Sequence, residues 1–188
     1  MCVICDGGSE EDLLNDEFVR VAVEGFVMVG VESESPWIYT IGLLQSYDHP
    51  ELVVTGQAEE GAKLIVRVVD RIKEGQRFNA ASPPTTLCCG CTIASFGSVH
   101  PEHWNRGRFE QWVRYYGFHG GEPAERMAVQ VLWRDRNDLF PTDPEFCPAH
   151  RGSCQPLLDE APRHDVHTGL NREQRRQAKR GHGKRRRP

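Results

Sequence analysis

No run in this 188-residue chain approaches the roughly 20 apolar residues that a membrane helix needs. The start, MCVICDGG, lacks the basic then apolar order of a signal peptide, so the expected location is the cytoplasm. Aromatic residues are scarce at 9% and the apolar fraction is only 38%. Those apolar residues are gathered in blocks with hydrophilic stretches between them, so the blocks can build a core that the rest need not join. The length favours one core over two, because lobes much below a hundred residues bury little apolar surface. No internal repeat is visible. Disulfides are disfavoured as well: seven cysteines are an odd set, and a reducing compartment keeps such residues as thiols or metal ligands.

Acidic residues nearly vanish at the end of the chain. From Leu170 to Pro188 the single acid Glu173 faces nine basic residues, Arg172, Arg175, Arg176, Lys179, Arg180, Lys184, Arg185, Arg186 and Arg187, a net of +8. The total of −4 therefore conceals a body of 169 residues that carries −12. Such a division points to nucleic acid, a membrane surface or an acidic protein surface as the partner of the arm, or to docking of the arm on its own domain, and of these nucleic acid or an acidic protein is expected, with no membrane. Phosphate neutralisation by Arg and Lys gives salt-sensitive, sequence-poor binding, and the negative body opposes it.

Before the arm, hydrophobic spacing predicts the elements. Leu13, Leu14, Phe18, Val21 and Ala22 share one side of a helix over Glu10 to Val23, with Ser9 placed to cap it. The runs FVMVGV from Phe26 and WIYTIGL from Trp37 read as a hairpin, and ELVVTG from Glu51 as a buried strand. Ala62, Ile65, Val66, Val69 and Ile72 define a second helix over Ala58 to Lys73, closed by Gly75. A strand follows at Thr92 to Val99, a helix at Arg108 to Tyr116 and a strand at Arg126 to Trp133. Asp, Asn, Pro and Gly then dominate Arg134 to Leu158, an irregular excursion pinned by Phe140, Phe146 and Leu157. Residues 159–169 read as a polar linker. Asn171 caps a short helical stretch with almost no apolar face, so the arm is expected to be disordered or marginally helical.

The ordered series PWIYTIGL, HPELVVTG, YYG, AVQVLWRD, LFP and QPLL, together with the opening CVICD, resembles the bacterial and phage family known as domain of unknown function 4262. The resemblance spans about Cys2 to Leu158 and omits the arm. It implies a fold and boundaries but brings no activity with it. Cys88, Cys89, Cys91 and the segment from Cys147 to Cys154 stand outside that pattern.

The sharpest chemical signal is a pair of Cys-x-x-Cys turns, Cys2 with Cys5 and Cys88 with Cys91. Each turn sets two thiolates on one face at the separation that tetrahedral Zn²⁺ requires. Cys89 and the set Cys147, His150 and Cys154 are alternate ligands. The 82 residues between the two pairs make closure depend on the fold. A redox role for Cys2 and Cys5 is weaker, because thioredoxin-type motifs open a helix after a strand. For catalysis, Cys89, His49, His100, His103 and His119 supply ingredients without a triad spacing. Tyr39, Thr40, His49 and Glu51 combine polar groups with strand ends, and a cleft is expected near them if the protein is an enzyme. The competing account is structural: Thr40 bonded within the core, Gly42 permitting a close backbone approach, and His49 satisfied in a tight connection at Pro50.

These observations lead to an α+β domain over residues 1–158 with a small mixed or antiparallel sheet and about three helices. The domain is expected to be an accessory or binding protein, stabilised by Zn²⁺, with the arm as its contact. The alternatives are a small enzyme and a metal-handling or redox protein.

Overall fold

The computed structural model describes residues 7–33, 35–56, 58–88, 92–105, 108–118, 128–147 and 155–162. Helix α1 (Glu10–Glu24) opens on a capping box: Ser9 Oγ accepts from Asp12 N–H, and the Asp12 carboxylate accepts from Ser9 N–H at 2.8 Å. It stops at Gly25, which adopts φ 86° and donates to the Val21 carbonyl. Strands β1 (Val27–Val31) and β2 (Trp37–Ile41) form the expected antiparallel hairpin, and β2 pairs antiparallel with β3 (Glu51–Thr55). Helix α3 (Ala58–Lys73) follows, preceded in the chain by a one-turn helix α2 (Leu43–Tyr47).

The second half holds β4 (Thr85–Cys88), β5 (Thr92–Ser98), α4 (Glu102–Asn105), α5 (Glu110–Phe118) and β6 (Ala128–Trp133). The six strands of the described residues belong to one mixed sheet ordered β1-β2-β3-β6-β5-β4. Only β3 and β6 run parallel, with Leu52 opposite Val129; every other neighbouring pair is antiparallel. The architecture is α+β, with five helices among the described residues where sequence periodicity indicated about three.

Strand alternation sorts the core into two layers. Ile38, Leu52 and Val54 face α3, packing on Leu64, Ile65, Val68, Val69 and Ile72, with Phe78 and Phe96 beside them. Val27, Tyr39, Ile41 and Val53 face the other way, onto Val21 of α1, Trp104 of α4, and Phe109, Trp112 and Tyr115 at α5. Because β3 is covered on both faces, all five of its residues are buried, and ELVVT reads as a continuous apolar run after its first residue. Gly61 on α3 serves this packing: a Cβ there would lie 2.9 Å from Val54 Cγ1. Among the described residues, no helix is long and apolar enough to cross a membrane.

After β6 the chain makes a series of turns. Arg134 lies over the Phe140 ring at 5.0 Å, and Phe146 is buried. Residues 155–158 then return across the sheet as a strap. The Gln155 side chain donates to the Trp133 carbonyl and accepts from its N–H, both at 2.9 Å. The Thr55 hydroxyl and Gln130 Nε2 both donate to the Pro156 carbonyl, and Leu158 N–H donates to Gln130 Oε1. Leu158 is buried and the next three residues are exposed. The arm, residues 170–188, lies outside the described residues.

Candidate functional site

At the end of the sheet where β2 finishes and β3 begins, the Glu51 side chain is 1% exposed. Four donors converge on its carboxylate. Thr40 Oγ1 donates to Oε2 at 2.6 Å, while Oε1 accepts from Gly42 N–H at 2.9 Å, Leu44 N–H at 3.2 Å and the Tyr116 hydroxyl at 2.5 Å. Gly42 N–H also donates to the Tyr116 oxygen at 3.1 Å, and Thr40 Oγ1 accepts from Leu52 N–H at 2.8 Å.

The local sequence explains why the strands open here. Backbone pairing of β2 with β3 runs from Trp37 to Tyr39, and at Thr40 a side-chain oxygen takes over as acceptor for Leu52 N–H. Gly42 turns the chain at φ 110° into α2; a Cβ at this position would meet Val21 Cγ1 at 2.7 Å. The first turn of α2 has no side-chain cap of its own. The Glu51 carboxylate takes that place, satisfying N–H groups that a helix start leaves unpaired. Burial pushes the Glu51 carboxyl above its ordinary range, and the hydrogen bonds from Thr40, Tyr116 and the two amides pull the other way. Burial, with the Glu51 charge next, pushes the Tyr116 hydroxyl far up, so it remains a donor.

Tyr39 stands outside this nest. Its ring meets Phe109 edge-on at 5.1 Å, and its hydroxyl lies against the backbone of Gln111 and Trp112 at the start of α5. His49 diverges further. Its Nδ1 is 2.6 Å from the Pro50 carbonyl and its Nε2 accepts from Phe78 N–H at 3.0 Å, which sets the neutral tautomer with hydrogen on Nδ1. Burial lowers its proton affinity further. It packs with Phe78, in the layer beneath α3, whereas Glu51 meets Tyr116 on the opposite side. Of the four residues singled out in the sequence, Thr40 and Glu51 are joined, and Tyr39 and His49 each serve another contact.

The chemistry available to the nest is that of a lock. Thr40 and Glu51 are both buried, and each carboxylate oxygen is already bonded, so neither group is presented to a substrate. A concave surface of about 270 Å³ lies elsewhere, between α3 and the ends of β5 and β6, with Leu64, Arg67, Thr92 and Trp133 in its wall.

Sequence reading passed over several participants. Tyr116 was legible only as part of an aromatic helical face, since its partner is 65 residues away. Glu17 was one acid among many on α1, yet it is buried, one of its oxygens has no hydrogen-bond partner, and burial with the Asp16 charge raises its pKa to about 7. Tyr115 donates to Gln45 Oε1 at 2.8 Å, and burial and the charges of Glu51 and Glu17 push its hydroxyl up to about 12. Gln130 is the one polar side chain in AVQVLW, a departure from the strand pattern that marks its anchoring role.

Of the metal candidates, Cys88 ends β4 opposite Thr92, and Cys147 is a free, exposed thiol. Cys2, Cys5, Cys89, Cys91, His150 and Cys154 lie outside the described residues, as does His119. Among the described residues, no three His, Cys, Asp or Glu side chains group as a metal site. His100 accepts from Glu102 N–H, and His103 is buried with its Nε2 at 3.0 Å from the Glu160 carbonyl.

A single mixed sheet covered by helices on both faces, closed at one end by a saturated carboxylate nest, defines an α+β protein whose internal polar groups hold the fold. The chain belongs to the family described as Domain of unknown function (DUF4262), whose model matches residues 20–147. No curated protein and no solved structure matches it.

Proposed function

We propose that the protein is a non-catalytic, cytoplasmic accessory module, stabilised by Zn²⁺, that contacts nucleic acid through its basic arm, Leu170 to Pro188. The carrying observation is the division of charge, +8 on the arm against −12 on the body. The internal use of the strongest polar candidates supports it. Glu51, Thr40, His49 and Gln130 spend their hydrogen bonds on the fold and leave no converging set of free acids, bases and nucleophiles among them. Contact made by Arg and Lys on phosphates is sequence-poor, so the arm supplies affinity and any selectivity comes from elsewhere.

The test is a mobility shift of the full chain with single- and double-stranded oligonucleotides over a salt series. A shift at low salt is expected, with a log-log slope no steeper than about −8 for nine basic residues. The variant Arg185→Gln, Arg186→Gln, Arg187→Gln should flatten that slope by roughly three times 0.9. Absence of any shift at low salt defeats the proposal. Displacement by polyglutamate but not by nucleic acid would turn it toward an acidic protein partner.

A further inference from the structure

The two edges of the sheet are not alike. β4 is short, follows Pro83 and Pro84, and has a register irregularity between Thr86 and Cys88, devices that keep an edge from pairing further. β1 has none of them. Its residues VMVGV include no proline and no charge, and all five pair in unbroken register with β2. Gly56 N–H donates to the Pro36 carbonyl opposite it, so by ladder alternation Ile38 points its backbone groups at β3, while Trp37, Tyr39 and Ile41 point theirs at β1. Their partners Val27, Val29 and Val31 are thereby engaged, and Met28 and Gly30 direct their N–H and C=O groups outward. Among the described residues no strand takes those groups up.

This edge is complementary to itself. Pairing the outward groups of two antiparallel copies about Val29 sets Met28 against Gly30 of the other copy, and Phe26 against Glu32. Gly30 is exposed and a Cβ there would have nothing within 4 Å, so the Met28 side chain of a second copy has room. Phe26 and Met28 pack on the α3 side of the sheet, and alternation puts Gly30 and Glu32 on that side as well. Lys73 Nζ stands over the Phe26 ring at 5.6 Å and has no carboxylate partner among the described residues. Glu32 of the second copy would thus arrive beside Lys73, twice by symmetry. Within one chain the strand holds the two apart, since six residues separate Phe26 from Glu32, about 20 Å when extended.

We propose that β1 is a homodimerisation edge: two copies pair antiparallel about Val29, join their sheets into one, and seat Glu32 of each beside Lys73 of the other. This goes beyond the basic arm and stands whether or not the arm binds nucleic acid. Pairing across one short strand lies at the small end of specific interfaces, so the expected dimer is weak and reversible. The two bodies carry −12 each and repel one another. At about 0.15 M salt the screening length is about 8 Å, which damps repulsion between whole bodies more than attraction between Glu32 and Lys73 in contact.

The experiment is sedimentation equilibrium of the full chain from about 1 µM to about 500 µM in about 0.15 M salt, a range that populates weak dimers of this size class. The parent should pass from monomer to dimer. Glu32→Lys and Lys73→Glu should each weaken the dimer roughly tenfold, because two attractive pairs become two repulsive ones. An equimolar mixture of those two variants should dimerise as the parent does, since each charge then meets its opposite. Gly30→Pro removes an outward N–H without touching the β2 ladder and should leave a monomer. A parent that stays monomeric at the highest concentration overturns the proposal. So does a dimer that Gly30→Pro leaves intact, or a mixture no tighter than its components. Should Gly30→Pro fail to fold, hydrogen exchange at the Met28 and Gly30 amides of the parent decides the matter. Protection that appears only as concentration rises supports the second copy. Protection at dilution would mean that the chain covers its own edge, and rapid exchange at every concentration would leave the edge to another partner; either result refutes the dimer.

Discussion

Tyr116 on α5 donates its hydroxyl proton to Glu51 at the head of β3, and the same phenolic oxygen accepts from the Gly42 amide. The contact joins a helix from the second half of the chain to the connection between β2 and β3. Its removal is a direct test of how much the nest holds. Tyr116→Phe and Thr40→Val should each cost about 1–3 kcal/mol in urea unfolding, since each leaves buried groups short of a partner. Glu51→Ala should cost about 3 kcal/mol or more, because four donors lose their acceptor. The Tyr116/Thr40 double variant should deviate from additivity, both residues bonding one carboxylate. Additive losses would mean that the two bonds act independently.

Gly42→Ala should destabilise by about 2 kcal/mol or more through its left-handed backbone and the approach to Val21. Combining it with Val21→Ala should cost less than the sum of the two, since the smaller side chain makes room. A full sum would assign the whole effect to backbone conformation.

Glu17 has a sign opposite to that of most carboxylates. Its pKa is raised by burial and by Asp16, with Arg20 opposing, so the folded state retains a proton that the unfolded chain releases. Its contribution is therefore fully present below about 4.5 and is lost as pH rises to about 7. Glu17→Gln should be close to neutral at pH 4.5 and stabilising by about 1–2 kcal/mol at pH 8. Thermal unfolding of the two proteins at both pH values measures it, and equal shifts at the two would refute it.

His49 works in the reverse direction. Burial lowers its folded pKa, so the unfolded chain takes up a proton near the ordinary histidine range before the folded one does. Stability should fall as pH drops through 6.5. Protonation would oppose a backbone N–H to a ring N–H at Phe78. His49→Gln should lower stability at pH 7.5 and flatten the decline between pH 7 and 5 by up to one proton. An unchanged slope would rule His49 out as its source.

Much of the fold could be read from periodicity. The hairpin of FVMVGV and WIYTIGL, the buried run ELVVTG, and the stripe on Ala58–Lys73 each extend over enough residues to repeat a pattern. Helix α2 could not be read this way: LLQSY is one turn, too short to show a period, and its start is stabilised by Glu51 from a later strand. Strand β4 is TTLC after a Pro-rich connection and owes its form to pairing with β5. Helix α4 has four residues. In the nest, Thr40 with Glu51 was visible as a polar interruption of apolar strands. The separation of His49 from Glu51 was hidden, because a spacing of two would put both on one face of a strand, and β3 begins only at Glu51, so the rule does not reach His49. Tyr116 and Glu17 entered only through tertiary contact.

The strap at Gln155 to Leu158 has a mechanical consequence for anything tethered to the arm. A pull on residues beyond 162 first loads His103 at the Glu160 carbonyl and His100 at the Leu158 carbonyl, and past them reaches the body through Gln130, Thr55 and Trp133. Two of these sit on β6, an interior strand flanked by β3 and β5. Once those two histidine contacts yield, tension is delivered to the middle of the sheet, where ladders on both sides share it, and not to an outer strand that could be peeled away.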